Sequence, residues 1–370
     1  MKVTLLSDNL QKKLALISRG VSTRTQLPIL SNILFETVKG KLYLNSTDLE
    51  IGIQTIVPAN IEQEGRITIP AKTFIDLINT FSSEKITMQI QGNTLEVKTQ
   101  KTKSIFQTTS AEEFPKLFEE KGEEIMKIKT ETMHRDFHMV IFAASADTMR
   151  PALSGVYIKK DLLVTTDGYR LCLKQEKQNL FKKDKEEDYS IIVPVRVLRE
   201  VMAIKDDSEE INMFIAKDKN QVLFEHGDTV IVGRLIGAQF PDYQKIIPAN
   251  ATIKVVFDRE EMLKAVKTSA IFAREAANII RLSIKENSIV VSANTPSVGE
   301  NTVEVEAKIN GEESEIAFNA RYLLEFLSTI EAEEIVFEMT TPTSPGVFKI
   351  KGDNSFLHLI MPIRVQGQGD

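Results

Sequence analysis

The chain of 370 residues holds one cysteine, Cys172, and no tryptophan. A single thiol forms no internal disulfide, and such sparse use suits a reducing cytoplasm. No apolar run reaches the length of a membrane span, and no signal-peptide core follows Met1. Glycine-rich phosphate loops are missing in both nucleotide-binding spacings. His134 and His138 stand four apart on a predicted helix, but no cysteine or third histidine nearby completes a metal site. They read as two polar residues on an exposed helix face. Cys172, between Leu171 and Leu173, reads as a small buried hydrophobe and not as a nucleophile. No pair of carboxylates is marked by its spacing for acid–base work. These absences point away from an enzyme and imply neither metal nor cofactor. A net charge of −6 argues against coating nucleic acid with the whole surface, yet it allows a basic lining within an acidic shell.

What the chain does have is repetition. Residues 69–81 (IPAKTFIDLINTF) recur in pattern at 193–204 (VPVRVLREVMAI) and at 318–330 (FNARYLLEFLSTI). Each copy reads as a strand end, then a helix start, then apolar residues on one helical stripe. The copies stand about 125 residues apart, too far for a solenoid repeat and right for a whole domain. Further landmarks keep this phase: STDLE at 46–50, TTDGY at 165–169 and SANTP at 292–296, and the unit ends Phe114-Pro115, Phe240-Pro241 and Met361-Pro362. Three similar domains in tandem follow, with bounds expected at 1–121, 125–248 and 252–370.

Read in order, residues 1–6 alternate as a strand and Asp8 is the expected N-cap of a helix through Arg19. Strands follow at 27–37, 41–47 and 49–57, and after the first organising helix at 85–90, 94–100 and 104–109. The middle third repeats that order, with Thr132 expected to cap a helix to about Ala144 and the charged run 174–188 a solvated loop. In the last third Asp258 is the expected cap of a helix to about Phe272.

The helices share a polarity. Lys12, Lys13 and Arg19 lie off the first apolar stripe, the organising helices add Lys72, Arg196, Arg199 and Arg321, and Lys264 and Lys267 lie opposite Leu263, Val266 and Ala270. Helices turned toward one common surface would make that surface basic. With no aromatic stacking platform and no recognition-helix motif, it would hold phosphates without reading bases. The alternative is that these are ordinary solubilising charges.

Seven stretches carry a resemblance: LPILSNILFE from Leu27, TDLE from Thr47, MRPALSGV from Met149, TDGYRL from Thr166, FPDYQKIIP from Phe240, FNARYLLEFL from Phe318 and MPIR from Met361. In this order and spacing, across all three units, the chain resembles the bacterial DNA polymerase III beta subunit, the replicative sliding clamp. The resemblance implies an α+β fold of three DNA-clamp domains, each with antiparallel sheets outside and two helices inside. It implies a head-to-tail homodimeric ring around double-stranded DNA, gripped without regard to sequence. It also implies a cytoplasmic, nucleoid-associated protein that tethers the replicative polymerase, the clamp loader and other proteins through short peptides.

Carried over residue by residue, the resemblance makes Arg24, Lys72, Arg150 and Arg196 DNA contacts, with Lys12 a weaker one. The peptide groove takes Leu153, Thr166, Gly168, Tyr169, Arg170 and Leu171 from the middle third. It adds Pro241, Lys245 and Ile246, then Tyr322, and the terminal Ile360, Met361, Pro362, Ile363 and Arg364. Phe106 is placed against Ile271 and Phe272 of a second chain, with packing inside its own domain as the competing reading. Tyr169 and Lys245 depart from the histidine and arginine frequent in the family, Pro151 and Ala152 replace larger residues, and residues 365–370 extend past the usual end as an expected disordered tail. Two other functions compete: a protein-binding scaffold that has lost DNA encirclement, and a hydrolase using His134 and His138.

Overall fold

A computed structural model describes residues 1–22, 26–147, 149–177, 179–182, 189–217, 220–275 and 277–364. Arg24 and the tail 365–370 lie outside the described residues. The chain divides into two compact units, residues 1–131 with 196–235, and residues 132–195 with 236–370. The middle third is therefore shared between the units.

Each copy of the repeated segment is a strand that runs straight into a helix: Arg66–Pro70 into Ala71–Ile78, Ser190–Pro194 into Val195–Met202, and Ser314–Asn319 into Ala320–Thr329. The stripe residues are the buried ones, Phe74 and Ile78 in the first, Leu198 and Val201 in the second, Leu323, Phe326 and Leu327 in the third. Burying each such side chain contributes about 1.5–3 kcal/mol, which outweighs the weak helix propensity of the β-branched and aromatic residues involved.

Among the described residues the strands form antiparallel sheets of five, eight and twelve strands. The first two belong to the first unit. There Ile51–Val57 pairs with Thr229–Arg234 of the middle third, and the pair joins strands of both thirds into the eight-stranded sheet. The twelve-stranded sheet belongs to the second unit. In it Arg170–Gln175 pairs with Asp353–Ile360, the last strand. Glu210–Ile215 and Ile279–Ile284 alternate buried and less buried positions as a one-sided sheet requires, whereas Thr229–Arg234 is buried along nearly its whole length.

Several local expectations change. The first helix is Ser7–Ile17 and Asp8 is not its cap: Leu6 stands at that position, and Asp8 instead accepts the Ser83 hydroxyl at 2.6 Å. The strand Lys2–Leu6 runs directly into the helix, which leaves Asp8 one residue inside the first turn. Thr132 is not a cap either. Helical turns begin at Thr130, whose hydroxyl donates to the Ser208 carbonyl at 2.8 Å, and a π-helical stretch occupies Met133–Phe137. Asp258 does cap its helix, Arg259–Ala273, accepting the Glu261 N–H at 2.8 Å. Strands Asn60–Gln63 and Gly299–Asn310 were not anticipated.

Candidate functional site

Thr166–Arg170 forms a tight turn between two strands of the large sheet. The Thr166 hydroxyl donates to the Arg170 carbonyl at 2.6 Å, and Asp167 Oδ1 accepts the N–H groups of Tyr169 and Arg170 at 2.9 and 3.0 Å. Gly168 holds φ of +93°, a left-handed value that glycine takes without a Cβ clash. The chain terminus closes over this turn. Arg170 and Leu171 pair with Ile360 and Leu359, and the Met361 N–H donates to the Tyr169 carbonyl at 2.8 Å. Beneath it Leu171, Phe240, Val347 and Leu359 form one apolar cluster, against which Tyr243 and Ile247 pack. The stretches beginning at Thr166 and Phe240 and the last strand come together here.

The residues they bring together differ in exposure. Tyr169 is 59% exposed, Ile246 40% and Met361 38%, whereas Thr166, Leu171 and Ile360 are buried. Leu153 is nearly so. Gly168, Pro241, Lys245 and Arg364 are exposed, and Tyr322, Pro362 and Ile363 are half-buried. Lys245 pairs with Asp242 at 2.8 Å, and the Ile363 N–H donates to the Ala317 carbonyl. The outcome is a surface of apolar side chains over a rigid backbone, with cations at its margin.

Arg170 is 4% exposed and enclosed on every side. Its Nε donates to Asp167 at 3.1 Å, Nη2 donates to the Phe142 carbonyl at 2.7 Å, and Nη1 lies 2.6 Å from Glu325. The Tyr322 ring covers the guanidinium at 4.5 Å. Arg321 takes the other Glu325 oxygen at 2.7 Å. Burial opposes ionisation of Glu325, but the hydrogen bond from Arg321 and the charges of Arg170 and Arg321 outweigh it and hold its pKa below the usual carboxylate value. Burial, and then the charge of Asp167, push the Tyr322 phenol up. Asp167 and Glu325 enter the sequence reading only as members of the TDGYRL and FNARYLLEFL stretches, with no role of their own. The available signals were Asp167 in a turn-forming T-D-G stretch and the four-residue spacing of Arg321 and Glu325 on one helix face.

Next to Arg170, Cys172 faces His358 across the same strand pair. Its sulfur lies 2.9 Å from Nδ1, which also meets the Leu171 carbonyl at 3.0 Å. Burial pushes the thiol well up and, with the charge of Arg170, lowers His358 to about 3. An uncharged thiol sealed in a core is a packing residue. Among the described residues no cluster of three or more His, Cys, Asp or Glu side chains is placed to hold a metal.

The candidate DNA contacts are Lys12, Lys72, Arg150 and Arg196, all exposed. Arg196 is engaged by Asp48 at 2.5 Å and Glu50 at 3.4 Å, and Arg150 by Asp147 at 3.4 Å. Phe106 is half-buried and packs edge-on against Phe74 at 5.5 Å, so packing within its own unit accounts for one face of the ring. Its strand, Lys103–Gln107, is the outer strand of its sheet, and neighbouring Ile105 is 59% exposed. Ile271 is 58% exposed near the end of its helix, with Phe272 half-buried beside it.

Family models for the DNA polymerase III beta subunit match the chain in three consecutive stretches: the N-terminal domain over residues 1–118, the central domain over 127–242 and the C-terminal domain over 244–364. The chain belongs to the DNA polymerase III beta subunit family. The beta sliding clamp of Synechococcus elongatus is 30% identical over 99% of this chain and 100% of its own length. That of Bacillus subtilis is 28% identical over 98% and 100%. Among solved structures, the beta subunit of Thermotoga maritima superposes with a TM-score of 0.89 at 29% identity, covering 98% of this chain and 99% of its own. The Bacillus subtilis sliding clamp gives 0.91 at 27% identity, with 99% of each chain covered. The chain is thus a beta sliding clamp of α+β fold with three clamp domains. It is a non-catalytic processivity factor, and the hydrolase reading of His134 and His138 falls with that membership.

Proposed function

We propose that two copies join head to tail into a closed ring around duplex DNA. Each chain would contribute three clamp domains, 1–121, 125–248 and 252–370. Phe106 of one chain meets Ile271 and Phe272 of the other, and the strand Lys103–Gln107 finds a partner for its outer edge. A heterologous contact that closes on itself gives a discrete ring and covers an edge that would otherwise recruit other chains. The observation that carries this reading is the pairing of an open sheet edge bearing exposed Ile105 with a separate exposed apolar site at Ile271.

A ring held by closure needs no tight grip on DNA. Lys12, Arg24, Lys72, Arg150 and Arg196 then supply weak phosphate contacts over which the clamp slides. The surface around Tyr169, Ile246 and Met361 receives short linear peptides of the polymerase, the clamp loader and other DNA-processing proteins. Each bound enzyme gains a high effective concentration at the template. Apolar walls with few polar anchors suit such a peptide, and the flexible thioether of Met361 adapts to more than one. The same reading places the protein in the cytoplasm, at the nucleoid.

Light scattering across a dilution series tests closure. The expected mass is twice that of one chain, with Phe272→Arg giving monomers. A monomer at every concentration, or an open-ended oligomer, overturns the ring. Loaded clamp is expected to stay on closed circular DNA and to leave linear DNA; equal retention on both would instead favour a scaffold that binds without encircling.

A further inference from the structure

The resemblance makes Arg170 a contact for bound peptide, yet the side chain is 4% exposed, with Nε and Nη2 hydrogen-bonded inside the protein and Nη1 held by the Glu325 ion pair at 2.6 Å, without hydrogen-bond geometry. Its part is to order what lies above it. Tyr322 and Glu325 lie three residues apart on the helix Ala320–Thr329, so they share one face. Glu325 reaches down to Arg170 and Tyr322 lies over the guanidinium, so a single cation ties the helix to the turn. Asp167 holds the same cation from the turn side, and Arg321 occupies the remaining Glu325 oxygen from solvent.

We propose that Glu325 is a positioning residue for peptide binding. By anchoring Arg170 Nη1 it seats the guanidinium under the Tyr322 ring, and this fixes the ring as a wall of the binding surface. Glu325 itself touches no peptide. The inference rests on the reading of that surface as the peptide site.

The test uses the full chain and a short fluorescein-labelled peptide whose apolar anchors are Leu and Phe, read by fluorescence anisotropy. Glu325→Gln keeps the size of the side chain but turns one carboxylate oxygen into an amide donor that faces a cation. The expected loss is about tenfold in affinity, with the Tyr322 ring signal moved in the NMR spectrum of tyrosine-labelled protein and the rest of the spectrum unchanged. Tyr322→Leu leaves the ion pair in place and is expected to lose a similar factor. Because Glu325 acts through the ring, the double variant is expected to lose no more than either single one. Affinity within twofold of the parent in Glu325→Gln overturns the proposal, and so do losses that multiply in the double variant. If Glu325→Gln does not fold, Glu325→Asp, which keeps the charge and shortens the reach, takes its place under the same criteria. Ile246→Asp separates the two readings: unchanged binding in that variant removes the peptide site itself, whereas loss there beside normal binding in Glu325→Gln removes only the role of Glu325.

Discussion

The turn at Thr47–Ile51 and the turn at Thr166–Arg170 are built alike and finished differently. In both, threonine donates to the carbonyl four residues on, at 2.8 and 2.6 Å, and aspartate collects two backbone N–H groups. In both, a later strand donates to the turn, Arg234 N–H to the Glu50 carbonyl at 3.3 Å and Met361 N–H to the Tyr169 carbonyl at 2.8 Å. Each turn is also tied by an ion pair to the organising helix of the next repeat, but the charges are exchanged. In the first unit the helix supplies Arg196 and the turn supplies Asp48. In the second the turn supplies Arg170 and the helix supplies Glu325. The Arg196 side chain is 47% exposed and that of Arg170 only 4%. A cavity of about 280 Å³ opens at the first turn, lined by Leu49, Gly52, Leu117 and Arg234 among others. The second turn is packed from beneath by Leu171, which stands where the first has Gly52. Backbone hydrogen bonds thus set the shape of the turn, and side-chain burial decides which copy is packed firmly from beneath.

The difference can be broken most forcefully at Arg170. Arg170→Met leaves Asp167 and Glu325 facing each other without their shared cation. The expected cost is about 2–3 kcal/mol, because Arg170 is buried while Glu325 is 31% exposed and keeps Arg321, read by urea denaturation. A loss below about 1 kcal/mol would show the buried pair to be no stronger than a surface one.

A second contrast lies one strand position further on. Ile53 faces Ile231 in the first unit where Cys172 faces His358 in the second. Only the second pair titrates. His358 has its folded pKa lowered from 6.5 to about 3, chiefly by burial, so the unfolded chain takes up its proton first. The stability it lends is complete above about pH 6.5 and is lost as the pH falls toward 3, on the order of 3 kcal/mol by pH 4.5. His358→Phe keeps a ring against Phe326, on which the imidazole stacks at 4.9 Å. The variant is expected to lose less stability than the parent between pH 7 and 4.5; identical acid sensitivity in the two would refute the assignment. The smallest effect is expected at Arg196→Met, where an exposed pair is worth about 1 kcal/mol or less and disappears in high salt. A cost as large as that of Arg170→Met would erase the distinction between the turns.

Much of this could be read from the chain, and the limits have physical causes. The three strand-to-helix copies are visible because a strand end followed by an apolar helical stripe is a local pattern. The Asp258 cap is local too, with its acceptor three residues from its donor. Asp8 misleads because a strand runs into its helix without a break, so the expected cap falls inside the first turn. Gly299–Asn310 alternates clearly through Val303, Val305 and Ala307 and follows SANTP as Ile51–Val57 follows STDLE, so alternation and phase both mark it as a strand. The surface around Tyr169 is another matter. Its strand pair joins Cys172 to His358 across 186 residues, a separation that carries no sequence signature. Nor does the burial of Arg170, since an arginine in a turn is ordinarily solvated.

The pairing of Arg170–Gln175 with the last strand, Asp353–Ile360, also bears on synthesis. The first unit has all its strands once residue 235 has been made. Arg170–Gln175 has one neighbour by then but must wait for almost the whole remaining chain before it gains the other. A nascent chain therefore carries a finished first unit beside an unpaired, largely apolar edge, the condition in which partly made proteins capture one another. Ribosome pausing late in the message would prolong that interval, and a chain cut short before residue 353 would never leave it.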